Sequence, residues 1–256
     1  MKIIDGFIFY NELDILAIHL EEVYDVVDHI IIVEATETFA GNPKQSFYLE
    51  NSGRFEKYKD KIIHFITDFK EGYPFTGMTN SSSEKWLRED YQRECILIAC
   101  QQIQLSVDDI FILTDVDEIP NRSILQKIRK NELNIDDNVY ILEMDLYYYS
   151  LEYTVNRKWH HVKMARFNTL QSFPLLKYFR HYWKAEIIKN GGWHLTYFGD
   201  VNFIKNKMEN YAEEHSDQQK SIKHISECLN NHIVPFNNEQ LVKVNGLNLN
   251  LPKACQ

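Results

Sequence analysis

The chain has 256 residues, 44% hydrophobic and 25% charged, with a formal net charge of -9. That length suits one large domain with a sizeable core, and the composition excludes global disorder. The acidic balance argues against a nucleic-acid binder, which needs a basic face to displace counterions.

Cys95, Cys100, Cys228 and Cys255 form no CxxC pair, so reduced thiols are expected rather than a disulfide framework. No apolar run reaches the roughly 18 residues of a membrane-spanning helix. Asp5, Asn11, Glu12 and Asp14 interrupt what would be the apolar region of a signal peptide. The expectation is a cytoplasmic protein without a transmembrane anchor.

In chain order, residues 2–10 form a compact Ile- and Phe-rich run that predicts a strand. Residues 12–24 place Leu13, Leu16, Ala17, Leu20 and Val23 at a helical period. Strands are predicted at 29–33 and 61–66, with a Gly- and Pro-containing loop over 36–45. Residues 67–83 hold Gly72, Pro74, Gly77 and three serines; a loop of that length suggests a lid that closes over a ligand. The strongest helix runs over 84–104, followed by a strand over 109–113. This alternation predicts a mainly parallel sheet flanked by helices, an α/β fold. Strands are then expected at 139–149, 163–167 and 185–189, and helices at 200–211 and 216–230. The last 25 residues show little periodicity. The whole chain, 1–256, reads as one domain, with a first half over 1–120, a second half over 121–230 and a tail over 231–256.

The central feature is the run Ile110 to Pro120, in which a buried strand leads directly into Thr114, Asp115, Val116, Asp117 and Glu118. Ligands of open parallel sheets bind at the carboxyl ends of the strands. Two carboxylates two residues apart in an extended turn can converge on one hard cation, Mg2+ or Mn2+, which shares its coordination shell with phosphate oxygens and stabilises a leaving diphosphate. The competing reading is a solvated acidic turn before a helix that starts near Asn121 or Ser123.

The order of several motifs resembles glycosyltransferase family 17. They are Asn11 to Asp14, Val33 to Ala35, Thr38 to Pro43, Trp86 to Arg93, Thr114 to Pro120, and Gly192-Trp193-His194. The resemblance spans roughly residues 3–215 and implies a nucleotide-sugar-binding half over 1–120 and an acceptor-side half over 121–230. It implies a GT-A-like nucleotide-diphospho-sugar transferase fold, a UDP-sugar donor (typically UDP-N-acetylglucosamine), a glycan acceptor, a divalent metal (Mn2+ or Mg2+) and inversion at the anomeric carbon. On that basis Asp115 and Asp117 are expected at the metal and diphosphate, with His194 as a third metal ligand. Asn11, Glu12, Glu34, Asp90 and Arg93 are expected on the donor side.

The general base that inversion requires is sought among Asp200, Asp145 and Glu143, Asp200 being equally suited to cap a helix. Tyr147 to Tyr149, Tyr153, Trp159 and Trp183 offer aromatic faces for sugars or, equally, material for a sheet core. The alternatives are a metal-dependent phosphohydrolase or nucleotidyltransferase, which would need a second acidic cluster, and a catalytically inactive sugar-nucleotide-binding module.

Overall fold

A computed structural model describes residues 1–69, 83–244 and 251–256. The first half is built as the alternation predicts. β1 (Ile3–Ile8), α1 (Leu13–Val23), β2 (His29–Ala35), a short α2 (Phe47–Glu50), β3 (Ile62–Thr67), α3 (Glu84–Cys100) and β4 (Ile110–Leu113) follow in order. The four strands lie parallel in the order β3-β2-β1-β4.

Apolar residues alternate between the two faces of this sheet. Phe7, Ile30, Ile32, Ile110 and Ile112 pack with Leu16 and Leu20 of α1, whereas Ile4, Ile31, Val33, Phe111 and Leu113 pack with Cys95, Ile96 and Ala99 of α3. A strand buried on both faces reads as a continuous apolar run, which is why these segments are conspicuous in the sequence. Gly6 lets α3 approach closely, since a Cβ there would meet Ile96 Cγ2 and Phe111 Cζ at 2.8 Å.

Beyond β4 the sheet continues with mixed polarity. The remaining elements are β5 (Glu118–Pro120), α4 (Arg122–Arg129), β6 (Tyr140–Tyr148), β7 (Tyr153–Trp159), β8 (Lys163–Arg166), α5 (Phe167–Gln171), α6 (Leu176–Arg180), β9 (Glu186–Thr196), α7 (Val201–Asn210), α8 (Ile222–Asn231) and β10 (Val242–Lys243). Antiparallel pairing of β8 with both β4 and β6 joins the two halves in one sheet, and β7 and β10 extend it. Among the described residues the sheet has ten strands, and none of the helices is long and apolar enough to cross a membrane.

Several elements differ from the sequence expectation. β7 and the short α5 and α6 are additional. β9 runs through to Thr196 rather than ending near 189. α8 starts at Ile222, after Ser221 caps it by accepting from His224 N. Of the lid expected over 67–83, residues 70–82 lie outside the described residues.

Gly191 and Gly192 explain the length of β9. The strand passes between β6 and β5, pairing with both. A Cβ at Gly191 would lie 2.7 Å from the Leu142 backbone, and one at Gly192, where φ is +154°, would lie 2.1 Å from Ile119 O. Only glycine permits that approach. The strand then delivers His194 opposite Glu118.

Candidate active site

The turn after β4 is fastened from below before any charge is placed on it. Asp5 of β1 accepts from Thr114 Oγ1 at 2.9 Å and lies 2.7 Å from His19 Nε2, and His19 Nδ1 lies 2.8 Å from Val116 O. All three side chains are buried. Burial opposes a charged imidazole at His19, but Asp5 and the Val116 carbonyl outweigh it and raise the pKa. Leu195 N donates to Asp117 O at 2.8 Å, locking the turn to β9 as well.

Asp115, Asp117 and Glu118 are heavily compensated by cations. Asp115 accepts from Arg93 at 2.7 Å and from Arg180 at 2.6 Å. Glu118 receives Arg180 on both oxygens, at 2.9 and 2.7 Å, together with Trp159 Nε1 at 2.5 Å and Asp115 N at 2.7 Å. Burial works against a charged Glu118, yet the Arg180 guanidinium holds its carboxyl down to about 2. Asp117 accepts from Lys207 Nζ at 2.8 Å, and its other oxygen lies 3.5 Å from His194 Nε2. Against the cost of burial, Lys207 and His194 keep Asp117 well below the usual carboxylate range. Lys207 also stands 3.2 Å from Glu12 Oε1, an ion pair without directed hydrogen-bond geometry.

The turn opens onto a cleft of about 330 Å³, bounded by Trp86, Glu89, Trp159, His161, Arg180, His181, His194, Lys207, Tyr211 and Glu213 among others. The rings of His194, Trp159, His161 and Trp183 follow one another at centroid spacings of 4.4, 4.4 and 5.0 Å, forming an aromatic wall that leads outward. Burial, reinforced by Arg180, depresses His161 to about 3 and His181 to about 4, so both rings are neutral near pH 7. A second, tight recess of about 20 Å³ adjoins the carboxyl ends of β1 and β2 between Phe9, Tyr10, Phe39 and Tyr211, with Glu12 and Lys44 on its rim. Tyr211 borders both spaces.

The structure thus brings Asp115, Asp117, Arg93, Glu12 and His194 together, with Asn11 beside them. Asn11 Nδ2 donates to Asn206 Oδ1 at 3.3 Å. The other expected site residues lie elsewhere. Glu34 accepts from Lys44, Ser46 Oγ, Phe47 N and Tyr48 N and contacts His64, so its oxygens pin the segment before α2. Asp90 pairs with Lys177 at 3.0 Å and fixes α6 to α3. Asp200 caps α7 by accepting from Phe203 N at 2.8 Å and borders a separate recess. Asp145 pairs with Lys158, and Glu143 lies 3.1 Å from His160. None of the three acids considered for the base lines the acidic cleft, whereas Glu89 and Glu213 do.

Sequence reasoning missed Asp5, His19, Arg180 and Lys207. A single buried charge on a short or amphipathic helix leaves no local pattern. Only Asp5, a lone acid inside an apolar strand, carried a signal that could have been followed.

The family profile of glycosyltransferase family 17 matches residues 1–234. The chain belongs to glycosyltransferase family 17. Two curated relatives, the beta-1,4-mannosyl-glycoprotein 4-beta-N-acetylglucosaminyltransferases of Rattus norvegicus and Homo sapiens, are each 29% identical over 126 residues. That stretch is 47% of this family 17 chain and 22% of either relative, so the match spans about a fifth of their length. Among solved structures, S. aureus TarS 1-349 aligns over 88% of this chain and 69% of its own at 12% identity and a TM-score of 0.40. Mouse xyloside xylosyltransferase 1 aligns over 69% and 70% at 10% identity and a TM-score of 0.33. Both likenesses are too distant to bear on function.

Proposed function

We propose that this family 17 chain is an inverting, metal-dependent glycosyltransferase that takes a UDP-sugar donor and a glycan acceptor. UDP-N-acetylglucosamine is the donor that the relatives' name favours. The reading rests above all on the acidic turn of Asp115 and Asp117, set at the carboxyl end of β4 and facing a cleft.

The residues present suit a divalent ion held jointly with the donor. Among the described residues no three His, Cys, Asp or Glu side chains form a ready-made metal site, but Asp117 and His194 stand 3.5 Å apart on the cleft. Mg2+-like ions commonly take one or two carboxylates and complete their shell from substrate phosphates and water. Buried polar atoms without hydrogen-bond partners also gather here, at Asn11 Oδ1, Glu12 Oε1 and His194 Nδ1. Orphaned atoms of this kind call for a ligand or ordered solvent. The charge balance points the same way. Glu12, Glu89, Asp115, Asp117 and Glu118 outnumber Arg93, Arg180 and Lys207 around the site, and a diphosphate would meet net repulsion there. Asp117 and His194 would hold the ion, which when bound supplies Lewis-acid stabilisation of the departing diphosphate.

The protein's own groups do the rest. The Trp159 wall suits the apolar face of a sugar. The neutral rings of His161 and His181 add no charge to the acceptor side. A base with a carboxylate on the cleft is needed to take the acceptor's hydroxyl proton, and Glu89 and Glu213 are the acids so placed.

Release of UDP from a panel of UDP-sugars, with and without Mn2+, tests the assignment. Metal-dependent release from one donor, lost in Asp117→Ala, is the expected result. The base is the residue whose Gln variant, Glu89→Gln or Glu213→Gln, keeps UDP binding and loses turnover. Absence of both release and metal-dependent UDP binding in the wild type would sink the reading.

A further inference from the structure

Asp117 is buried, and its charge is met by Lys207. We propose that Lys207 is a resident counter-ion of Asp117 that competes with the divalent metal, so that the metal enters only as the lysine gives up this carboxylate. The proposal rests on the assignment of Asp117 and His194 to the metal and concerns what the metal must displace to reach Asp117.

The warrant is electrostatic. A carboxylate with this little exposure cannot stay ionised without a cation close by. A divalent ion and an ammonium on the same carboxylate repel each other in a low-dielectric setting. Occupation by one therefore disfavours the other, and the apparent metal affinity is the intrinsic one multiplied by the fraction of time that Asp117 is free.

The surroundings of Lys207 allow the exchange without moving its helix. α7 is tied to the loops after β1 and β2 by neighbours of the lysine. Tyr10 Oη donates to Asn206 Oδ1 at 2.9 Å, and Asn42 Nδ2 donates to Asn210 Oδ1 at 3.1 Å. The lysine itself has a second perch. Glu12 is already 3.2 Å away, and Nζ lies 4.9 Å from the Tyr211 ring centroid and 5.8 Å from that of Tyr197. A flexible four-carbon stem can swing its charge from Asp117 to Glu12 or to an incoming phosphate while α7 stays in place.

The test titrates Mn2+ into the protein and follows the free-ion signal by electron paramagnetic resonance, with and without UDP, for wild type, Lys207→Gln and Lys207→Arg. Gln keeps a donor for Asp117 but carries no charge, and Arg keeps the charge. Without UDP, Lys207→Gln is expected to bind Mn2+ at least ten-fold more tightly than wild type, and Lys207→Arg no more tightly than wild type. Thermal melts give a second readout: Lys207→Gln should melt below wild type without metal and recover with Mn2+, an outcome that also covers a variant folding poorly on its own. If UDP confers Mn2+ binding on the wild type but Lys207→Gln gains nothing in the absence of UDP, the counter-ion role is overturned and the metal assignment stands. If no form binds Mn2+ even with UDP, both are overturned. Loss of UDP binding in Lys207→Gln with no response to Mn2+ would instead make the lysine itself the diphosphate's cation.

Discussion

Arg180 shows how much of this site rests on one side chain. It is buried and spans Asp115 and Glu118, holding both Glu118 oxygens. Removing one partner of a buried ion pair leaves an uncompensated charge, which typically costs about 3–5 kcal/mol. Arg180→Met is therefore expected to lower unfolding stability by an amount of that order, about 3 kcal/mol or more, in urea denaturation. Adding Glu118→Gln should recover part of the loss, because the stranded carboxylate is then neutral. A loss below about 1 kcal/mol, the scale of an exposed pair, would show that solvent reaches Glu118 more freely than the structure implies. The acid cluster announced itself in the sequence. Its guanidinium partner, 62 residues beyond Glu118, did not, because nothing local marks a lone arginine as buried.

At the scale of elements, the short α6 matters because it carries Arg180, and α3 holds it in place. Glu94 of α3 accepts from Leu176 N at the start of α6, and Asp90 pairs with Lys177. Burial raises the Glu94 carboxyl to about 7, with Asp90 pushing the same way and the backbone bonds from Leu176 and Lys177, and Arg93, pulling against it. A carboxyl whose folded pKa is raised binds more protons folded than unfolded. Its contribution to stability is thus complete below the ordinary value of 4.5 and is lost as pH rises through about 7. Urea midpoints measured from pH 4.5 to 8 should fall for the wild type and fall less for Glu94→Gln, which is neutral throughout and keeps a carbonyl for Leu176 N. Identical slopes for the two proteins would remove Glu94 from this role. The family resemblance put Asp90 and Arg93, both on α3, on the expected donor side. The helix splits them: Arg93 reaches Asp115, while Asp90 turns to α6.

For the whole molecule, the β4–β8 ladder is the joint between the parallel half and the mixed half. The cores of the two sheet faces both cross it. Ile110 and Ile112 pack in one cluster with Met164, and Phe111 and Leu113 in the other with Ala165. A shared ladder and shared cores should make the halves unfold together. Far-UV circular dichroism and tryptophan fluorescence are expected to report one coincident denaturant transition. Two separated midpoints would mean that the halves are independent units.

Local pattern carried the parallel β-α-β-α-β-α-β half, because strands buried on two faces and a helix with a broad apolar face each leave a periodic trace. It also marked Asp115, Asp117 and Glu118, because three acids directly after such a strand can only stand at its carboxyl end. The mixed half was less legible. β7 is Tyr153-Thr-Val-Asn-Arg-Lys-Trp159, only partly buried, and α5 and α6 are five residues each, too short to show a period. Which charges meet was decided by tertiary structure alone. Arg180, Lys207, His194 and Trp159 reach the acidic turn from four separate elements, and Asp200, suited by sequence to either role, caps α7. Pairing between buried charges depends on distances across the fold, and one-dimensional spacing does not encode them.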